Sequence, residues 1–87
     1  MKTYELEAIF VANDVPTSYY SFDGMVGGDC YVLKQVNNTW TTFYSERGRA
    51  DDVRTYASED EACQGMFQLV ARMMLSSQYR AITLTSE

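Results

Sequence analysis

Hydrophobic and polar positions alternate by twos through the middle of the chain and by threes and fours towards its end. The runs "CYVLKQV" and "TWTTFYS" carry β-branched and aromatic residues in the period of a strand, and only "NN" separates them. Asparagine tolerates positive φ, so Asn37-Asn38 suits a two-residue hairpin turn. In that register Val32 faces Phe43 and Tyr31 faces Tyr44, which gives both faces of the sheet apolar groups and predicts partial cover on each. A slip of one residue would exchange the faces. "VRTYA" predicts a third short strand.

Further on, "SEDEACQGMFQLVARMML" takes up a helical period. Ser58 is a good N-cap, Glu61 completes a capping box, and Glu59 and Asp60 set negative charge against the helix's positive end. Ala62, Cys63, Met66, Phe67, Val70, Met73 and Met74 form one apolar stripe. Gly65 lies off that stripe and costs about 1 kcal/mol relative to alanine, which points to a close approach by another group. "TYELEAIFV" at the start fits two periods. As a strand it aligns Tyr4, Leu6, Ala8 and Phe10; as a helix it buries Leu6, Ile9 and Phe10. Pro16 is expected to end either element. "TSYYSFDGMVGGD" reads as an aromatic-laden loop, and the tail "SSQYRAITLTSE" as an edge strand or a frayed end.

Composition sharpens this picture. At 87 residues, 46% hydrophobic and 14% aromatic, the chain predicts one compact domain, with no internal repeat. Its formal charge of −5 opposes direct nucleic-acid binding, which needs cations to neutralise phosphates, and suits a protein partner with a basic face. Cys30 and Cys63 lack the spacing of a disulfide framework or a zinc site and are expected to be buried free thiols. Acids interrupt the first ten residues where a signal peptide needs an apolar run, and no stretch reaches membrane-spanning length, so a soluble cytoplasmic protein is expected.

Candidate chemistry is sparse. The chain contains no histidine, which removes Ser-His and Cys-His pairs and the commonest metal ligand. "DGMVGGD" lacks the spacing of a phosphate-gripping loop. The acid pairs Asp51-Asp52 and Glu59-Asp60-Glu61 read as an exposed loop and a helix start, and neither follows a calcium-loop pattern. No catalysis, cofactor or metal is expected. "FYSERGRADD" looks at first like an active site. It reads better as a turn, with Tyr44 and Ser45 ending a strand, Glu46-Arg47 turning, and Gly48 supplying positive φ.

Three segments, "VPTSYYSFDG", "DCYVLKQVNNTWTTFYSERG" and "SEDEACQGMFQLV", in this order and spacing, resemble small bacterial immunity proteins of polymorphic toxin systems, including contact-dependent growth inhibition. The resemblance spans Val15 to Val70; "MVGGDC" and the tail depart from it. It implies an N-terminal helix and so an α+β fold: that helix, a small antiparallel sheet of about three strands, and a C-terminal helix, with the helices in a single layer on the sheet. It also implies stoichiometric, one-to-one binding of a cognate toxin's C-terminal domain, with a basic nuclease among the candidate toxins, and no direct contact with nucleic acid or membrane. Loop position and charge select Asp14, Asp23, Asp29, Glu46, Arg47, Asp51 and Asp52 as candidate contacts, with Tyr20 as an aromatic anchor. The alternatives are a small regulatory or ligand-binding α+β module and an acidic nucleic-acid mimic.

Overall fold

The computed structural model describes residues 1–22 and 29–78. Helix α1 (Thr3–Ala12) is followed by a single 3₁₀ turn (Thr17–Tyr19) and a two-residue strand β1 (Tyr20–Ser21). Strands β2 (Cys30–Val36), β3 (Thr39–Glu46) and β4 (Arg49–Tyr56) come next, and helix α2 (Glu59–Gln78) closes the described chain. The strands lie in the order β1-β2-β3-β4, with β1 parallel to β2 and the other pairs antiparallel. The α+β class and the two helices are as expected, but the sheet is mixed and has four strands rather than being antiparallel with about three. The extra strand lay inside the segment read as a loop, because two residues are too few to show a period.

The ambiguous first segment is a helix because only that winding brings Leu6, Ile9 and Phe10 together; the strand pattern would have buried Tyr4, which is 71% exposed. Pro16 does not end it. The chain leaves the helix at Asn13, and Asp14 takes the left-handed conformation at φ 58°. The amide of Val15 then donates to Phe10 O at 2.9 Å and that of Asp14 to Val11 O at 3.1 Å, which is the paired bonding of a Schellman stop. Asn13 Nδ2 adds a bond to Ile9 O at 2.8 Å. Val15 and Phe10 are both buried in the core, so the stop is also fastened by apolar packing.

The β2–β3 hairpin has the anticipated register: Val32 pairs with Phe43 and Tyr31 with Tyr44. Asn37 and Asn38 hold φ of 51° and 66°, the double left-handed turn that matches strand twist. The β3–β4 hairpin differs from expectation. Glu46 is still in β3 and pairs with Arg49, so the two turn residues are Arg47 and Gly48, at φ 51° and 81°. "RADD" is therefore strand, not loop. The register shifts between Thr42 and Tyr44, and opposite that shift Asp52 sits at φ 54° as the extra residue of a β-bulge.

One face of the sheet shares a core with both helices. Leu33 packs with Leu6, Phe10, Met66, Val70 and Met74, while Tyr31, Trp40 and Tyr56 lie against the rim of this cluster. Cys30 and Val32, which alternate with Leu33 along β2, are buried on the other face, so both faces are covered as the pairing predicted. Tyr56 also explains Gly65. A Cβ on Gly65 would lie 2.7 Å from Tyr56 Cζ and 2.8 Å from Cε2, so the ring occupies the place of the missing side chain. Tyr56 Oη in turn meets Thr42 Oγ1 at 3.4 Å, across the buried centre of β3.

At the start of α2, Ser58 Oγ accepts the Glu61 amide at 3.1 Å, as the capping pattern required. The Glu61 carboxylate reaches back one residue further than a standard capping box and accepts the Ala57 amide at 3.2 Å. Glu59 ties the two helices together: Oε2 accepts the Thr3 amide at 2.9 Å and Oε1 lies 3.4 Å from Lys2 Nζ. The first turns of α1 and α2 therefore meet, and Asp60 faces the Met1 amino group at 2.6 Å.

Candidate functional site

The left-handed turn at Arg47-Gly48 brings Asp29, Glu46, Arg47 and the first residues of β4 to one end of the sheet. Asp29, exposed just before β2, accepts the Arg47 amide through Oδ1 at 3.2 Å and so fixes the turn against the neighbouring strand. Arg49 lies 3.6 Å from Asp51, and Arg54 grips both carboxylate oxygens of Asp52 at 3.3 and 3.1 Å. That grip raises the Arg54 pKa above its ordinary value, first through the hydrogen bond and then through the charge of Asp52. The pairings change the electrostatic reading of "RADD". Asp51 and Asp52 are each matched by an arginine two residues away, so this end of the sheet is a pattern of alternating sign and not an acidic patch.

The candidate contacts do not form one site. Asp29, Glu46, Arg47, Asp51 and Asp52 share the β3–β4 hairpin and the strand beside it. Asp14 stands apart, as the left-handed residue that stops α1. Asp23 lies outside the described residues. Tyr20 is not an exposed anchor: it is 8% exposed, with its ring 4.8 Å from that of Phe10 and 5.8 Å from that of Phe22. Loop composition pointed outwards there, but parallel pairing with β2 turns the tyrosine into the core. Burial raises its pKa, and the nearby charge of Glu7 raises it further.

Sequence reasoning missed where the excess negative charge collects. Glu5, Glu59, Asp60 and Glu61 stand on the first turns of α1 and α2, against Lys2 and the Met1 amino group, and Glu7 follows one turn further along α1. Hydrogen bonding from the Thr3 amide, then from Lys2, holds Glu59 below the ordinary carboxylate range. The signal was present in the acids of "YELE" and "SEDE", but nothing local announced that the two helix starts would touch.

Among the described residues, two cavities lie against the helices. One, of about 400 Å³, lies between α1 and β1 and is lined by Tyr4, Glu7, Thr17, Tyr20 and Phe22, among others. The other, of about 390 Å³, lies between the sheet and α2 and is lined by Tyr31, Tyr44, Leu69, Arg72, Met73 and Ser76. The rings of Tyr31 and Tyr44 meet edge to face there at 5.0 Å. Burial raises the Tyr44 pKa, and Asp29 and Glu46 add to the rise. Among the described residues no three metal-ligating side chains converge. Cys30 and Cys63 are buried free thiols, and burial pushes Cys63 up to about 11.

What the fold defines at this point is a small α+β domain with a four-stranded mixed sheet and a charged hairpin at one end. No family model matches the chain, and no curated protein or solved structure is significantly similar to it. Among the described residues, no helix is long and apolar enough to cross a membrane.

Proposed function

We propose that this chain is an immunity protein, which neutralises a cognate toxin by one-to-one association with the toxin's C-terminal domain in the producer's cytoplasm. It acts by binding and performs no chemistry of its own. The observation that carries the reading is the gathering of four carboxylates, Glu5, Glu59, Asp60 and Glu61, where the first turns of α1 and α2 meet, against two cations, Lys2 and the Met1 amino group. Such a pole draws in a basic domain and raises the rate of encounter. The hairpin end adds what a plain acidic pole lacks. Asp29, Glu46 and Arg47 and the pairs Arg49–Asp51 and Arg54–Asp52 present fixed charges of both signs, which reward a matching surface and penalise others. The ordered resemblance from Val15 to Val70 supplies the toxin as the partner.

Co-expression with the toxin domain encoded beside this chain tests the proposal. Protected cells and a one-to-one complex on size exclusion are expected; killing of cells that make this protein would sink it. Asp51→Asn with Asp52→Asn then probes the hairpin. Asparagine tolerates the left-handed backbone at position 52, so the bulge survives while Arg49 and Arg54 lose their partners. Association with a basic toxin should slow, most clearly at low salt. Unchanged kinetics would remove the hairpin from the interface.

A further inference from the structure

We propose that the cavity between α1 and β1 receives a basic side chain, lysine or arginine, from the protein partner; this rests on the partner-binding reading above. The cavity measures about 400 Å³, within the range of ligand-sized pockets. Its lining has one chemical sense. Tyr4, Tyr20 and Phe22 contribute aromatic rings and Thr17 a hydroxyl, and among the described residues Glu7 is the one formally charged group in the wall. Aromatic faces and a carboxylate both attract cations, and they do so together when they share a pocket.

The parts are held in place unequally, as a receiving site requires. Tyr20 is packed between the tilted rings of Phe10 and Phe22 and is 8% exposed, so one wall is rigid. Tyr4 and Glu7 are three residues apart on α1 and therefore share a helix face, and Tyr4 is 71% exposed and free to close over an entering group. Glu7 makes no ion pair among the described residues, unlike Asp51, Asp52, Glu59 and Asp60. Its field reaches the Tyr20 hydroxyl, which places the charge and the rigid ring in the same space. An anion would meet Glu7 with nothing to offset it, and a neutral apolar group would leave that carboxylate partly desolvated without compensation.

Titration of the isolated chain, followed by two-dimensional NMR, tests the site without any toxin. The probes are n-butylammonium and n-butylguanidinium for the two basic side chains, choline for a free quaternary amine, and n-butyrate as the anionic control. Saturable shifts at Tyr20 and Phe22 are expected with either basic probe, and no shift with n-butyrate. Glu7→Gln and Tyr4→Ala change exposed side chains, so both variants should fold, and each should weaken binding about threefold or more. No saturable response, an equal response to n-butyrate, or full binding by Glu7→Gln would overturn the site. Tighter binding of choline than of either basic probe would overturn the assignment to a partner's side chain. Because these titrations need no partner, failure of the toxin reading alone would leave them unchanged.

Discussion

Gly65→Ala should destabilise this protein, although the same change in an ordinary helix interior stabilises by about 1 kcal/mol. The reversal comes from Tyr56. A Cβ at position 65 would sit 2.7 and 2.8 Å from two ring carbons, where apolar carbons prefer about 3.5–4 Å. The ring's hydroxyl end would have to retreat by roughly 1 Å, against its contact with Thr42 and the pairing of its strand with β3. Overpacking of this kind costs about 1–3 kcal/mol. Set against the gain in helix propensity, a net loss of about 1 kcal/mol is expected, or about 4–8 °C in Tm for a domain of this size. Urea denaturation of four proteins isolates the cause: wild type, Gly65→Ala, Tyr56→Ala and the double variant. In the Tyr56→Ala background the clash is gone, and Gly65→Ala should stabilise by about 1 kcal/mol, giving a coupling of about 2 kcal/mol. A Gly65→Ala protein more stable than wild type, or an equal effect in both backgrounds, would refute the packing of Tyr56 on the helix backbone.

Arg47→Asn should move stability and binding in opposite directions. Asparagine suits the left-handed turn position at φ 51° better than arginine, so Tm should rise by the equivalent of about 0.5–1 kcal/mol, while affinity for the proposed toxin partner should fall. A lower Tm would contradict the turn, and unaltered affinity would exclude Arg47 from the interface. Glu59 should make stability depend on pH. Its folded pKa is lowered, so its contribution is complete above the unfolded value of about 4.3 and is lost as pH falls through the folded value. The Tm gap between wild type and Glu59→Gln should therefore shrink steadily on acidification below about pH 5; a gap that is constant down to acid unfolding would show that the charge of Glu59 contributes nothing. With its pKa at about 11, Cys63 should be almost entirely thiol at pH 8, about one thiolate in a thousand. Iodoacetamide should label neither cysteine until the protein is unfolded, and rapid labelling of the native protein would contradict their burial.

The parts of this fold that were legible in the sequence carry short-range signals. Ser58 and Glu61 mark the start of α2 within four residues, and Asn37-Asn38 set the register of a whole hairpin by their tolerance of positive φ. Long-range partners were not legible. Gly65 announced that something must come close, but only the fold could supply Tyr56, nine residues earlier on β4. Strand β1 is too short to show a period, and its parallel pairing is what moves Tyr20 from a supposed anchor into the core. The hairpin charges fall between these cases. Arg49 with Asp51 and Asp52 with Arg54 stand two apart, but that spacing speaks only once the segment is known to be strand. An arginine in a left-handed turn position runs against propensity, which is why the strand was expected to end before Glu46 and the acids to lie in a loop.

The bulge at Asp52 has a consequence for the protein's behaviour in a crowded cell. Among the described residues, which exclude the tail beyond Gln78, β4 has β3 as its only strand neighbour, and its other side runs along eight residues. A flat edge of that length invites another copy to dock strand against strand and begin a growing aggregate. The left-handed kink at Asp52 breaks the row into two short pieces, and the charges of Arg49, Asp51, Asp52 and Arg54 flank the break. A molecule approaching β4 meets side chains before it meets backbone. The strand keeps its charges in solvent while being a poor template for its own kind.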